Sequence, residues 1–97
     1  MTYRLITDDP VDRDVTSAFS WYNGESRGLG HDFLAELRSV YDRILEGPLK
    51  YPRVHSSTRR AILRRFPYAV YFTVDDDSVV ILAVLHTSRD PGEWQRR

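Results

Sequence analysis

The chain of 97 residues has no cysteine, a single methionine and a single lysine. Without cysteine there can be no disulfide, no thiolate nucleophile and no thiolate zinc site. That composition suits a reducing compartment. No apolar run approaches the roughly 18 residues that cross a bilayer. The opening MTYRLITDDP has no basic head followed by an apolar stretch, so it does not read as a signal peptide. These absences give the expectation of a soluble, cytoplasmic domain with no membrane contact. What is present is ordinary for a globular protein: 41% hydrophobic and 12% aromatic residues, enough to argue against disorder. At this length the apolar residues fill one core, so residues 1–97 are read as a single domain.

The formal net charge of zero conceals a segregation. Between Gly47 and Val74 there is no acid, while Lys50, Arg53, Arg59, Arg60, Arg64 and Arg65 all fall there. Acids gather at Asp8, Asp9, Asp12 and Asp14, and again at Asp75, Asp76 and Asp77. Thirteen of the fourteen basic residues are arginine, whose planar fork matches carboxylates and phosphates. Six cations without an intervening acid point to an anionic partner.

The periodicity predicts an α+β domain. Tyr3–Thr7 reads as a short strand. Asp9 as N-cap and Pro10 at the first helical position open a helix over 10–23, whose apolar face is Val11, Val15, Ala18, Phe19 and Tyr22. NGESRGLG breaks it, and a second helix over 31–46 carries Phe33, Leu34, Leu37, Val40, Tyr41, Ile44 and Leu45 until Gly47-Pro48 stops it. The glycine-containing link favours an antiparallel helical hairpin. Then come three β-rich stretches, 57–66, 68–75 and 78–86, read as an antiparallel meander with VVILAVL in the sheet interior and 90–97 as a polar tail. Helices would cover one sheet face. Alternation puts Arg60, Ile62 and Arg64 on one face and Arg59, Ala61, Leu63 and Arg65 on the other, without saying which is covered.

Other constellations carry less. His31, His55 and His86 sit on three separate elements with no i, i+4 pairing, so no metal is expected. Asp75–Asp77 lacks the alternating ligands and closing glutamate of a calcium loop and reads as a charged hairpin turn. Gly28-Leu29-Gly30 is too short for a phosphate loop. Trp21 and Tyr22 read as core plus edge of a helix. No cofactor is implied.

Four stretches in this order carry a resemblance: WY with GLGHDFLAEL, GPLKYP, RRAILRRFPYAVYF, and VVILAVLHTSRDPGEW. Together they resemble the RelE/ParE toxin superfamily, the toxins of bacterial type II toxin–antitoxin modules. The resemblance implies an N-terminal strand, a helical hairpin and a mostly antiparallel sheet. It also implies a cognate antitoxin whose acidic, amphipathic C-terminal segment forms a hetero-oligomer with the toxin. ParE-like members are implied to poison DNA gyrase; RelE-like members are implied to cut mRNA on the ribosome.

The RelE-like pattern has an arginine in the third strand where this chain has Ala69, between Tyr68 and Val70 of the FPYAVYF stretch. That pattern also favours lysines and a tyrosine-containing C-terminus, whereas the tail here is Trp94-Gln95-Arg96-Arg97. FPYAVYF and AVLHTSRDP resemble the ParE-like branch, which implies a non-enzymatic toxin. On that basis Arg59, Arg60, Arg64, Arg65, Tyr68, Tyr71, Arg89 and Trp94 are the candidate residues for binding antitoxin or target, the arginines forming one anion-facing strip. In the alternative nuclease reading, Arg65, His86 and Arg89 surround the scissile phosphate, with His86 as proton carrier. A non-toxic protein-binding module is the third reading.

Overall fold

A computed structural model describes residues 2–89. The elements are β1 (Arg4–Ile6), α1 (Asp9–Glu25), α2 (Leu29–Glu46), a 3₁₀ turn (Pro48–Lys50), β2 (Arg53–His55), β3 (Thr58–Ile62), β4 (Tyr68–Asp75) and β5 (Ser78–His86). The α+β order expected from the sequence is the order found, with an additional short strand, β2.

The N-cap of α1 is Asp8, one residue earlier than expected: its carboxylate accepts the Val11 N–H at 3.2 Å. Asp9 and Asp12 then lie in the first turn, where negative charge meets the positive end of the helix dipole. Asn23 and Gly24 do not break α1, which continues to Glu25. Instead, Asn23 ties the hairpin together. Its side-chain oxygen accepts the N–H groups of Gly28 at 3.1 Å and Gly30 at 3.3 Å, two donors that the start of α2 would otherwise leave open. Gly28 has φ 86°, a left-handed conformation suited to glycine, and lets the chain reverse within three residues.

The sheet order is β1-β5-β4-β3-β2. β1 runs parallel to β5, and every other pair is antiparallel. β5 is interior, as its apolar run requires. The predicted strand over 57–66 is shorter: β3 ends at Ile62, and residues 63–67 bend into β4, held by the Leu63 N–H to the Tyr68 carbonyl at 2.9 Å. Pro67 lies in this bend, where its missing donor costs no ladder bond.

Both helices pack on one sheet face. Phe33, Val40 and Ile44 of α2, with Val11 and Ala18 of α1, meet Val70 and Phe72 of β4 and Val79, Ile81 and Val84 of β5 in one core. A bulge skips Leu82, since Tyr71 pairs with Ala83 but Phe72 with Ile81. This resets the alternation, so that Ile81 and Val84 both face the helices. The opposite face carries a smaller cluster, Ala69, Tyr71, Ala83 and Leu85.

Candidate functional site

The four arginines of RRAILRRF have four different settings. β3 places Ala61, paired with Val70, toward the helices, and Ile62, paired with Ala69, toward the opposite face. Arg59 therefore lies on the helix side. Its guanidinium donates to the Tyr51 carbonyl at 2.6 Å and the Leu49 carbonyl at 3.3 Å, clasping the segment that leads into β2. That side chain is part of the fold. Arg60 pairs with Tyr71 and stands on the other face, next to exposed Ile62.

Arg64 and Arg65 sit in the exposed bend. Their backbone N–H groups both donate to the Glu36 carboxylate of α2, Arg65 at 3.1 and 3.2 Å to its two oxygens. A carboxylate taking two adjacent backbone donors forms charge-assisted bonds, stronger than neutral ones. Glu36 thereby fixes the bend and aims the two arginine side chains outward. The Arg65 guanidinium lies 3.7 Å from Asp32 and 5.4 Å from the Phe66 ring centre. Both members of the Arg65–Asp32 pair are more than half exposed, and such pairs contribute about 0–1 kcal/mol. An incoming carboxylate can exchange with Asp32 at little cost.

The single strip expected from the sequence is therefore not formed. Strand alternation divides Arg59 from Arg60, and the end of β3 at Ile62 releases Arg64 and Arg65 from either face. Tyr71 is buried, 5% exposed, on the face opposite the helices. Trp94 lies outside the described residues.

Tyr68, His86 and Arg89 do converge, where β4 begins and β5 ends. Tyr68 pairs with His86, their ring centres 5.3 Å apart, and the charge of Arg89 acts on the Tyr68 hydroxyl. Burial raises the Tyr68 pKa; Arg89 opposes that rise and Asp14 adds to it. His86 Nδ1 accepts the Ser88 N–H at 3.1 Å and lies 2.8 Å from the Ser88 hydroxyl, which leaves the proton of the neutral ring on Nε2. An open cleft here is lined by Trp21, Tyr22, Pro67, Tyr68 and His86. Trp21 is 59% exposed, so it forms a rim of this cleft and takes no part in the core.

Beneath the cleft, Tyr22, Phe33, Phe66 and Tyr68 make an aromatic cluster with ring centres 4.8–5.9 Å apart. Ala69 is fully buried on the other face, so no cation stands on β4 beside His86. No cluster of His, Asp or Glu suited to a metal occurs among the described residues. No described helix is long and apolar enough to cross a membrane. The apolar stripe of α2 leaves Glu36 out, and Asn23 belongs to the stretch read as a helix break, so neither role was seen in the sequence. Both act across long sequence gaps or through turns that periodicity does not report.

The model of the ParE toxin of the type II toxin–antitoxin system parDE matches residues 5–91. Toxin ParE2 of Mycobacterium tuberculosis, in strains CDC 1551 and H37Rv alike, is 29% identical over 93 residues, covering 95% of this chain and 89% of the relative. Among solved structures, the chromosomal ParDE system of P. aeruginosa superposes with a TM-score of 0.78 at 13% identity, covering 88% of this chain and 96% of that one. The RelBE2 toxin–antitoxin complex of M. tuberculosis gives 0.65 at 22% identity, covering 89% and 99%. These two share the fold with this chain. With the family model spanning nearly its whole length, this chain belongs to the ParE toxin family of type II toxin–antitoxin systems.

Proposed function

We propose that this toxin arrests growth by a non-enzymatic action on DNA gyrase in the cytoplasm, and that a cognate antitoxin neutralises it as a hetero-oligomer. The observation that carries the non-enzymatic reading is Ala69. Phosphodiester cleavage needs cations around a charged phosphorane as well as a proton carrier. Where the RelE-like pattern supplies an arginine, this chain has a buried methyl group turned away from His86. Membership of the ParE family supports the same reading. The antitoxin contacts are assigned to Arg60, Arg64, Arg65, Tyr68 and Arg89, with Trp94 retained from the sequence pattern. An acidic segment would displace the Arg65–Asp32 pair and supply charge-assisted bonds to the bend. Arg59 and Tyr71 act through the fold.

Purified toxin should inhibit supercoiling by purified gyrase or trap cleaved DNA at micromolar concentration. Full gyrase activity at a hundredfold molar excess of toxin would remove the proposal. A second reading, a RelE-like endonuclease acting on mRNA at the ribosome, draws on the juxtaposition of His86 and Arg89 at Tyr68. Codon-phased cuts in primer extension after induction would select it over gyrase. A chain that causes no growth arrest at all would be a binding module without toxicity.

A further inference from the structure

Where β4 begins and β5 ends, the chain leaves several hydrogen-bonding groups without partners. The cleft lined by Trp21, Tyr22, Pro67, Tyr68 and His86 holds about 440 Å³. Tyr22 is 8% exposed, its ring packed on Phe33 and Phe66, yet no described residue hydrogen-bonds to its hydroxyl. Burial raises its pKa and Tyr68 adds to that rise, so the two hydroxyls are neighbours. The Tyr68 hydroxyl has no hydrogen-bond partner among the described residues, and neither do the Trp21 indole N–H and His86 Nε2. Polar groups drawn out of water are normally paired. Four of them left open around one cleft mark a place for a ligand's acceptors.

The chemistry of the opening narrows the ligand. All four groups can donate, the indole and the Nε2–H of neutral His86 exclusively so. Among the described residues no lysine, arginine, aspartate or glutamate lines the cleft, so neither a phosphate nor an ammonium finds its counter-charge there. What fits is neutral, apolar and rich in acceptors. A proline segment in polyproline II conformation is all three: it makes no internal hydrogen bonds, and proline has no N–H to bring. The ring centres step from Trp21 to Tyr22 to Tyr68 to His86 by 5.1, 5.9 and 5.3 Å. Two residues of polyproline II advance about 6.2 Å, close to each of these steps. Neighbouring ring planes are inclined by 85°, 63° and 77°, which leaves notches between rings and no flat platform for a stacked base.

We propose that this cleft seats a proline-containing segment of the toxin's protein target, in polyproline II conformation, with its carbonyls on Trp21, Tyr22, Tyr68 and His86. This rests on the non-enzymatic reading above and names the chemistry of the contact. The arginines of the bend call for an acidic segment, and the uncharged aromatic cleft calls for a neutral, acceptor-rich one.

The test uses the full chain and three fluorescent probes: decaproline, a glycine–serine peptide of the same length and a short single strand of thymidine. Decaproline should bind at least about tenfold more tightly than the glycine–serine peptide, whose flexible backbone loses more freedom on binding. Its addition should shift the nuclear magnetic resonances of Trp21, Tyr68 and His86. Trp21→Ala, at an exposed helical position, should weaken decaproline binding by about tenfold or more. Tyr22→Phe and Tyr68→Phe each remove one hydroxyl and keep the ring. Each should weaken binding by about two- to tenfold, the worth of one hydrogen bond, while the thermal midpoint moves by only a few degrees.

Equal binding of the two peptides, or decaproline binding insensitive to Trp21→Ala and Tyr22→Phe, overturns the proposal. So does tighter binding of the thymidine strand at this cleft, because the occupant would then be a nucleic acid. Gyrase inhibition by the unmodified chain is scored separately. Its absence would remove the proposed function and leave the peptide result intact, whereas inhibition undiminished in Trp21→Ala would remove the cleft from the target contact.

Discussion

Replacing Gly30 with alanine sets two effects of known sign against each other. Alanine favours a helix over glycine by about 1 kcal/mol in the interior, and by less near an end. Gly30 is the second residue of α2, so the gain there is at most roughly half of that. Against it stands a close approach of α2 to Phe19 of α1. A Cβ at position 30 would lie 2.6 Å from the Phe19 carbonyl oxygen and 2.8 and 3.0 Å from its ring. The first contact is with backbone, so relief requires α1 and α2 to move apart, which also strains the Asn23 bonds to Gly28 and Gly30. Overpacking of this kind costs typically about 1–3 kcal/mol.

The clash wins, with a net loss of about 1–2 kcal/mol, which lowers the melting temperature by roughly 4–16 °C for a domain of this size. Gly24 is the internal control. It is also helical, near the end of α1, and a Cβ there would meet nothing within 4 Å. Gly24→Ala should leave the melting temperature unchanged or raise it by a few degrees. Urea unfolding and calorimetry read both variants. If Gly30→Ala matches Gly24→Ala, the hairpin is not held at the separation described and the argument for its locked end is wrong.

Two further outcomes follow from the site. Arg59→Ala should destabilise the fold by about 1–3 kcal/mol, because it deletes charged donors to two carbonyls, whereas Arg60→Ala should change stability by less than about 0.5 kcal/mol; equal urea midpoints would contradict the division of the two side chains between faces. Tyr41 has a folded-state pKa of about 12 against an ordinary value of 10.0, so the unfolded chain loses that proton first. Its contribution is complete below pH 10 and is lost as pH rises through 12. Stability between pH 9 and 11.5 should fall less steeply in Tyr41→Phe than in the unmodified chain, and ultraviolet titration should lose its highest-pH tyrosine step.

The element order was legible because its signals are local. Helical spacing on α1 and α2, the stop at Gly47-Pro48 and the apolar run of β5 each act within a few residues. β2 was not legible: Arg53–His55 is an edge strand whose three residues are all exposed, so no apolar alternation marks it. β3 was read as too long because Arg64 and Arg65 continue its alternation, while the structure turns after Leu63, where the Arg64 N–H donates to Glu36, 28 residues earlier in the chain. The arginine strip failed for the same reason. Composition reported six neighbouring cations; the Arg59 and Arg65 side chains point where the Tyr51 and Leu49 carbonyls and the Asp32 carboxylate draw them, and composition carries none of that. The seven apolar residues of α2 were read as one stripe, and only packing separates the buried Phe33, Leu37, Val40 and Ile44 from the half-buried Leu34, Tyr41 and Leu45.

The parallel pairing of β1 with β5 joins Arg4 to Ser78, 74 residues apart. During synthesis the first strand emerges long before its neighbour exists, and β5 also supplies the interior of the sheet and much of the wall against which the helices settle. Closing so long a loop is rewarded only when that late strand arrives. A nascent or prematurely ended chain lacking residues 78–86 therefore has no route to the finished domain. For a cell that makes its own poison, this arrangement withholds the harmful shape until the ribosome has passed His86.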